Sequence, residues 1–201
     1  MLKYLPDKMG SYHDADVTFL MRDISHLSIE KNTAEREKDI QSGKVHYSEM
    51  LPVEYHPDSK YMDLYEEMLE KYAYKVSLCV AVVAEKIHRF RETDELVLVS
   101  LARAGTPVGI LIKRYLEQTY AVNIHHYSVS ILRGRGIDET ALHYIEQHHP
   151  KGDIQFVDGW TGKGAITKEL EQSVARWNEG SHKQLDAELA VLADPGHCAK
   201  F

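Results

Sequence analysis

Cysteine and long apolar runs are both scarce in this sequence. Only Cys79 and Cys198 occur among its 201 residues, which is too few for a disulfide framework or for a zinc site built from thiolates. No stretch approaches the ~20 consecutive apolar residues that a membrane-spanning helix needs. The first residues also hold no apolar run of signal-peptide length. These absences predict a cytoplasmic protein that has no membrane partner.

Basic residues are in deficit as well, with 24 Lys and Arg against 31 Asp and Glu and a formal net charge of -7. A general nucleic-acid binder needs a basic face for the phosphate backbone, so this balance argues against nucleic acid as a partner. A small anionic ligand is still compatible with it, because local charges and backbone dipoles decide that binding. The length suits one α/β domain with elaborations, or one domain with a helical cap.

The first 58 residues show no clear periodic pattern. Residues 17–21 form a short apolar group that suits either a short strand or a buried helical turn. Residues 30–40 are charged and helix-forming. We therefore expect an N-terminal, mostly helical cap over residues 1–58 and an α/β domain over residues 59–201.

A long helix is predicted at the start of that domain. Asp58, followed by a serine, is a typical helix N-cap. Apolar residues then recur every three or four positions as far as about Phe90, a spacing that places them on one face of a helix. The residues of this stripe are Leu64, Met68, Tyr72, Val76, Val80, Val83 and Ile87.

From Glu95 onward the pattern alternates between strands and helices, which predicts a parallel sheet with right-handed crossovers. Strands are predicted at residues 96–101, 122–132, 154–157 and 187–193. The helices between and after them begin near residues 106, 138 and 164. Ligands of such sheets bind at the carboxyl ends of the strands. The unusual loops fall at that edge, and they are residues 102–106, 133–136, 158–164 and 194–198.

The loop after the third predicted strand has the composition of a phosphate cradle. It reads Asp158-Gly159-Trp160-Thr161-Gly162-Lys163-Gly164 and leads directly into a helix. Glycines allow several N–H groups to point inward, and the helix adds the positive end of its dipole. The threonine offers a hydroxyl and the lysine a charge, while the aspartate suits a pair of sugar hydroxyls.

A glycine-rich tight turn without a ligand is the alternative for this loop. Two familiar phosphate motifs do not match it. A P-loop needs Ser or Thr after its lysine, where this chain has Gly164. The dinucleotide fingerprint that would start at Gly162 requires a third glycine where the chain has Thr167.

Two other loops of the same edge contain arginine and glycine. After the first strand, Arg103 offers a bidentate fork for phosphate oxygens, and Gly105 permits a close backbone approach just before the next helix. After the second strand, Arg133 and Arg135 alternate with glycines and could close over a bound pyrophosphate. A solvated basic turn is the alternative for this second pair.

Residues 156–166 resemble the phosphate loop of the phosphoribosyltransferase family, and residues 101–107 resemble its pyrophosphate loop. The resemblance implies a type I phosphoribosyltransferase-like fold. It also implies that the 5'-phosphate is bound by Thr161, Gly162, Lys163 and Gly164, and pyrophosphate by Arg103, Ala104, Gly105, Arg133 and Arg135. Asp158 and Arg103 would then be the catalytic residues, and Asp158 would act by holding the ribose. The family usually has two adjacent acids, but this chain has Gly159 after its aspartate.

Residues 11–20, 46–52 and 158–164 together resemble one branch of that family, the phosphoribosyltransferase-like proteins of bacterial tellurite-resistance operons. Members of this branch are often labelled cysteine protease StiP. They are usually longer and have further domains, so the chain is expected to be part of a longer protein.

Three functions remain open on these grounds. The leading one is an enzyme that binds phosphoribosyl pyrophosphate with Mg²⁺ and transfers ribosyl phosphate to or from a nitrogenous base. The base that accepts the ribosyl phosphate would contact Trp160, Asp194 and His197 at the rim of the ligand cleft. The alternative is a non-catalytic nucleotide or phosphoribosyl sensor or assembly module of a stress operon. A homodimer is a further expectation.

The third function is a cysteine peptidase, which needs a thiolate activated by a histidine base. Cys198 follows His197, but adjacency in sequence does not deliver a base to a thiol. The chain also has twelve histidines. Neighbours on a strand point to opposite faces, so His125 and His126 do not easily share one ion. We therefore expect no metal site from the protein alone, only magnesium that arrives with the substrate.

Overall fold

A computed structural model of the chain describes residues 6–24, 26, 30–31, 33–43, 51–52, 56–102 and 104–201. The described residues fall into two compact units, one within residues 1–22 and 74–201 and the other within residues 23–73. These limits do not coincide with the domain boundary at residue 58, which stays a prediction.

Nine strands and five helices occur in the described part of the chain. The strands are β1 (Thr18–Phe19), β2 (Glu30–Lys31), β3 (Leu51–Pro52), β4 (Leu96–Leu101), β5 (His125–Val129), β6 (Ile131–Leu132), β7 (Gly136–Ile137), β8 (Asp153–Val157) and β9 (Leu189–Ala190). The helices are α1 (Thr33–Gln41), α2 (Ser59–Arg91), α3 (Gly105–Tyr120), α4 (Glu139–His148) and α5 (Ala165–Gly180).

A five-stranded sheet with the order β1-β5-β4-β8-β9 forms the centre of the larger unit, and every pairing in it is parallel. The middle strand β4 is the apolar run Leu-Val-Leu-Val-Ser-Leu, and all six of its residues are buried. A strand covered on both faces is expected to have this continuous pattern. The predicted α/β class with a parallel central sheet and flanking helices is therefore confirmed.

Two apolar clusters cover the two faces of this sheet. One combines residues of α4 and α5 with Val97, Val99 and Phe156 of the sheet. The other combines residues of α2 and α3 with Leu98 and Val157. Alternation of side chains along β4 thus supplies both clusters from one strand.

The structure corrects several predicted element limits. The strand predicted at residues 122–132 is β5 followed by a separate antiparallel hairpin of β6 and β7. Gly134 and Gly136 make that hairpin turn with φ angles of 79° and 87°, which glycine adopts without steric cost. The strand predicted at residues 187–193 is shortened to β9. Residues 17–21 contain β1, so the strand alternative is the one observed.

Helix α2 begins where its sequence predicts, because the Asp58 carboxylate accepts a hydrogen bond from the Tyr61 amide at 2.7 Å. The predicted apolar stripe is buried only toward its C-terminal end, at Val80, Val83 and Ile87. Its earlier residues, such as Leu64, are exposed. The helix predicted for this stripe is present, but only its C-terminal turns are buried.

The smaller unit contains α1, the beginning of α2 and a two-stranded parallel pair in which Glu30 of β2 lies opposite Leu51 of β3. No helix in the described parts of the chain combines the length and apolarity that crossing a bilayer requires.

His126 of β5 is a buried histidine, and we predict that it makes the fold sensitive to acid. Its Nδ1 donates to the Asp16 carbonyl at 2.8 Å. Burial lowers the pKa of His126 from 6.5 to about 4. Because the unfolded chain binds this proton more readily, the stabilisation is complete above about pH 6.5 and is lost as the pH falls toward 4. The contribution lost between pH 7.5 and pH 5 is about 2 kcal/mol.

Urea unfolding at pH 7.5 and pH 5 measures this contribution in the unmodified chain and in His126→Gln. The variant lacks the titrating group and should lose less stability on acidification. His143→Gln, a change at a half-exposed histidine of α4, should behave like the unmodified chain. Equal acid sensitivity in all three proteins would contradict the assignment to His126.

Candidate functional site

The carboxyl ends of β4 and β8 form a crevice at the point where the chain reverses its winding direction. The two strands are neighbours, but α3 leads from β4 to β5 on one side and α5 leads from β8 to β9 on the other. Open α/β sheets bind their ligands at such switch points. Because β4 and β8 are neighbours, the two loops that follow them lie side by side. These are the loops after the first and third predicted strands.

Two glycines allow these loops to touch. A Cβ atom on Gly105 would lie 2.6 Å from the Val157 carbonyl oxygen, and one on Gly159 would lie 2.7 Å from the Ala104 Cβ. Both distances are shorter than any ordinary carbon contact, so neither position has room for a side chain. The second acid of the usual phosphoribosyltransferase pattern therefore cannot be placed at residue 159 with this backbone.

The loop of residues 158–164 divides into two halves with different backbone bonding. In the first half, the Asp158 amide donates to Ala190 O at 2.9 Å and the Thr161 amide to Ala193 O at 3.0 Å. The Gly159 amide donates to the Asp158 carboxylate at 2.7 Å. These amides are therefore occupied within the protein, and the expectation that the whole bend converges on an anion does not hold for them.

The second half of the loop keeps its amides available. Within the described part of the chain, the amides of Gly162, Lys163 and Gly164 have no hydrogen-bond acceptor. Gly164, with φ of 73°, turns the chain into α5, and the side chain of Lys163 is exposed beside it. Thr161 is 5% exposed and keeps its hydroxyl near the bend. The predicted phosphate-binding residues thus meet at the start of α5.

Helices α3 and α5 both begin without a side-chain cap at this edge. By contrast, α4 is capped by the Asp138 carboxylate, which accepts from Thr140 N at 2.9 Å and Ala141 N at 3.3 Å. Uncapped first-turn amides and the helix dipole attract anions. The crevice therefore has two anion-attracting helix ends, one on each side.

Buried polar groups that the sequence analysis missed hold the first turn of α3 in place. The Ser100 hydroxyl lies 2.9 Å from Gly105 O and 2.7 Å from His126 Nε2. Thr106 Oγ1 lies 2.8 Å from Ser128 Oγ. Serines inside otherwise apolar strands were the only sequence signal for this support.

The structure describes two of the three arginines that are predicted to contact pyrophosphate. Arg103 lies outside the described residues, as does the stretch 46–50 that contributed to the family resemblance. Arg133 and Arg135 are exposed in the turn of the β6–β7 hairpin. Hydrogen bonds from Gly134 N to Glu169 Oε2 at 2.7 Å and from Ile137 N to Ser173 Oγ at 3.2 Å hold this hairpin against α5.

The predicted rim residues have distinct surroundings. Trp160 is 63% exposed. The Asp194 carboxylate closes its own loop by accepting from Cys198 N and Ala199 N, both at 2.9 Å, and these bonds lower its pKa. His197 lies in that loop with a left-handed φ of 52°. A Cβ on Gly164 would lie 3.0 Å from Cys198 Sγ, so the loop packs directly on the start of α5.

A cavity of about 530 Å³ opens beside the start of α5. Three lysines line it, Lys163, Lys168 and Lys200, together with Cys198. Thr167 also lines it, and its buried Oγ1 has no hydrogen-bond partner among the residues that the structure describes. The remaining lining residues are Gly164, Glu171, Ala187, Glu188, Leu189, His197 and Ala199. The cavity shares Lys163 and Gly164 with the predicted phosphate loop, whereas Ala104, Gly105 and Asp158 do not line it.

Neither cysteine is hydrogen-bonded to a histidine ring in the described part of the chain. Cys198 Sγ donates to Gly196 O at 3.3 Å, and no ring nitrogen of a described histidine is hydrogen-bonded to it. Cys79 is partly buried within α2. A thiol–histidine pair, which a peptidase requires, is therefore not formed by these residues.

Comparison with known proteins gives a family match over most of the chain. The profile of a family described as tellurite-like stress resistance cysteine protease StiP matches residues 10–201. A curated protein of Acinetobacter baylyi (strain ATCC 33305 / BD413 / ADP1), named cysteine protease StiP, is 39% identical over 191 residues. The match covers 94% of this chain and 48% of that protein. The chain thus spans about half the length of its curated relative.

Two solved structures are similar to parts of this fold. A hypoxanthine-guanine phosphoribosyltransferase from Bacillus anthracis gives a TM-score of 0.44 at 15% identity, covering 64% of this chain and 71% of that one. A hypothetical protein from Neisseria gonorrhoeae with bound ppGpp gives a TM-score of 0.40 at 13% identity, covering 63% and 72%. Both similarities extend over less than two thirds of this chain.

Proposed function

This chain belongs to the StiP family, and from that starting point we propose that its crevice binds phosphoribosyl pyrophosphate with magnesium. The proposed reaction transfers ribosyl phosphate between pyrophosphate and a nitrogenous base. One observation supports it above the others, namely the two uncapped helix ends at the neighbouring ends of β4 and β8. A ligand with a phosphate group at each end of a ribose suits two such anion sites.

The 5'-phosphate is assigned to the start of α5. The free amides of Gly162, Lys163 and Gly164 would donate to its oxygens, and the Lys163 ammonium would balance its charge. The Thr161 hydroxyl is the remaining donor on this side. The Thr161 amide takes no part, because it is bonded to Ala193 O.

The pyrophosphate is assigned to the start of α3, at Ala104 and Gly105, together with Arg103. Arg133 and Arg135 of the hairpin would close over it from the side of α5 and exclude water. Asp158 is the only carboxylate of residues 158–164, and residue 159 has no room for another. A single carboxylate fits a magnesium ion that is held mainly by the substrate's own phosphates.

In the transfer step, the bond from ribose C1 to the pyrophosphate oxygen breaks, the acceptor nitrogen forms a bond to C1, and the proton of that nitrogen passes to water. Pyrophosphate leaves with the bonding electron pair, and the sugar ring is positively charged in between. Asp158 would hold the ribose hydroxyls, and the helix ends and arginines would stabilise the leaving charge. The acceptor would approach across the rim of Trp160, Asp194 and His197.

A non-catalytic sensor or assembly module is the second candidate. The packing of Gly159 against Ala104 favours it, because the site keeps one carboxylate for the ribose where phosphoribosyltransferases usually have two adjacent acids. Such a protein would bind the same ligand and signal its presence without turnover. The fold alone does not decide between the two.

We expect Lys163→Ala to weaken phosphoribosyl pyrophosphate binding by about ten-fold or more, since a charge-assisted contact is lost. Titration calorimetry in the presence of Mg²⁺ measures this effect, and Thr161→Ala combined with Lys163→Ala should abolish measurable binding. Lys168→Ala is the matched control, because Lys168 lines the neighbouring cavity but lies outside the loop. A loss with Lys168→Ala that equals the loss with Lys163→Ala would move the ligand from the crevice to the cavity.

The same protein distinguishes the candidate functions when it is incubated with the ligand, Mg²⁺ and a panel of bases and nucleosides. Release of pyrophosphate supports the transferase, and binding without release supports the sensor. Absence of binding contradicts both.

The third candidate, a cysteine peptidase, needs a separate test. Its nucleophile would be alkylated by iodoacetamide well below pH 8.5, and Cys198 is the thiol to measure. A Cys198 thiol that stays inert rules this candidate out.

A further inference from the structure

Three side chains that can ligate metals meet at the edge of the sheet opposite the crevice. Glu95 precedes β4, His125 is the first residue of β5 and His149 follows α4. Each offers one ligand atom, and these atoms all lie within 4.8 Å of one another. The cluster thus lies at the amino ends of β4 and β5, whereas the crevice lies at the carboxyl ends of β4 and β8.

His149 is held in a fixed orientation at the centre of this cluster. Its Nδ1 lies 2.8 Å from Glu95 Oε1, and its Nε2 lies 2.7 Å from the Tyr127 hydroxyl. The side chain is 6% exposed, so burial and two hydrogen bonds fix both ring nitrogens. Such fixing by a second polar group is the usual arrangement around a ligating histidine.

His125 is the third member of the cluster and lies beside His149. Its ring lies against that of His149 with centroids 4.2 Å apart. No hydrogen bond to its ring nitrogens exists among the described residues, and part of the ring reaches solvent. His126 points to the other face, where it is bonded to Asp16 O. The adjacent histidines therefore separate as expected, but His125 finds ligating partners that are distant in sequence.

We propose that Glu95, His125 and His149 bind a divalent transition-metal ion of the zinc class. Two imidazoles and one carboxylate form a ligand set that zinc accepts, with water as the fourth ligand. The ion would take the place of the hydrogen bond between Glu95 and His149, and the Tyr127 hydroxyl would accept the Nε2 proton of His149. It would join β4, β5 and the end of α4 at a place remote from the phosphate loops.

The charges around the cluster agree with this assignment. Glu95 supplies a negative charge, and two lysines of this region are bonded elsewhere. Lys113 Nζ donates to Glu117 Oε1 at 2.7 Å and to the Ile124 carbonyl. Lys183 Nζ donates to His149 O at 2.9 Å and to Gly152 O at 2.6 Å. The ligand atoms of Glu95, His125 and His149 are close enough to share one ion, while the ammonium groups of Lys113 and Lys183 are engaged by carbonyl groups and by Glu117.

Equilibrium dialysis of the tag-free, metal-stripped chain against ZnCl₂ tests the proposal, and we expect one ion bound per chain. His125→Gln should weaken binding by at least about ten-fold, because loss of a ligand costs no less than loss of a group that supports one. Glu95→Gln should weaken it similarly. His143→Gln should leave binding unchanged, because His143 lies in α4, the helix that precedes His149, but is not one of the proposed ligands. Co²⁺ bound in place of zinc should show visible absorption bands that disappear in His125→Gln.

Folding does not obscure the result. The side chain of His125 makes no hydrogen bond among the described residues, so its replacement should leave the metal-free melting temperature almost unchanged. Less than about one tenth of an ion per chain at saturating zinc would overturn the proposal. Zinc binding that persists unchanged in both His125→Gln and Glu95→Gln would also overturn it, since other groups would then be the ligands. Neither outcome bears on phosphoribosyl pyrophosphate binding, which is measured separately at the other edge of the sheet.

Discussion

Replacing Arg91 by alanine is expected to lower the free energy of unfolding by about 2 kcal/mol or more, because a packed side chain and several charge-assisted hydrogen bonds are lost. The Arg91 side chain is 5% exposed at the end of α2. Its guanidinium group donates to both carboxylate oxygens of Asp186, at 2.5 and 2.8 Å, and to Asp153 at 3.1 Å. A further bond of 2.9 Å reaches the Gln155 side chain. Its loss would leave these acceptors without a cation and would open a gap between α2 and β8.

Arg89→Ala is the matched control two residues earlier in the same helix. The Arg89 side chain is 81% exposed and lies 3.8 Å from Glu85, so its removal should cost less than about 1 kcal/mol. Urea unfolding of both variants measures the difference. Arg91→Lys should recover little of the loss, because an ammonium cannot reproduce the bidentate fork. Similar costs for Arg89→Ala and Arg91→Ala would show that the buried network contributes nothing specific.

Gly159→Ala is the second change with a large expected effect, because it inserts an atom between the two loops of the crevice. The new Cβ would lie 2.7 Å from the Ala104 Cβ, and such overpacking typically costs about 1–3 kcal/mol. The loops must then separate, so binding of phosphoribosyl pyrophosphate should weaken together with stability. Thermal unfolding and titration calorimetry on the same preparations check both effects.

Two further variants make this prediction specific to the contact. Adding Ala104→Gly to Gly159→Ala removes the nearest opposing atom and should restore a substantial part of the stability. Gly180→Ala, at the end of α5, adds a Cβ into open space and should be neutral or stabilising by up to about 1 kcal/mol. If the double variant were no more stable than Gly159→Ala, the contact with Ala104 would not be the cause.

The sequence predicted the α/β architecture because local patterns determine it. The continuous apolar run at residues 96–101 matches β4 at both ends. The Asp58 cap and the glycine bend before α5 are also local signals, and both lie where expected. In each case the signal lies within a few residues of the element that it specifies.

Short elements whose pairing partners are distant in sequence were harder to predict. The two-residue strand β1 exists because Thr18 and Phe19 pair with Tyr127 and Ser128 of β5. The β6–β7 hairpin interrupts an apolar stretch that suggested a longer strand. Neither feature has enough residues for a periodic pattern of its own.

The chemistry of this chain was therefore determined in part by sequence and in part by tertiary structure. Residue order alone placed the glycines, Thr161 and Lys163 between a buried strand and a helix, because a glycine-rich loop is a local feature. Only the folded chain decided that Gly159 has no space for a second acid, and that Glu95, His125 and His149 meet at the opposite edge. Those facts depend on which strands become neighbours, and hydrophobic burial across the whole sheet determines that choice.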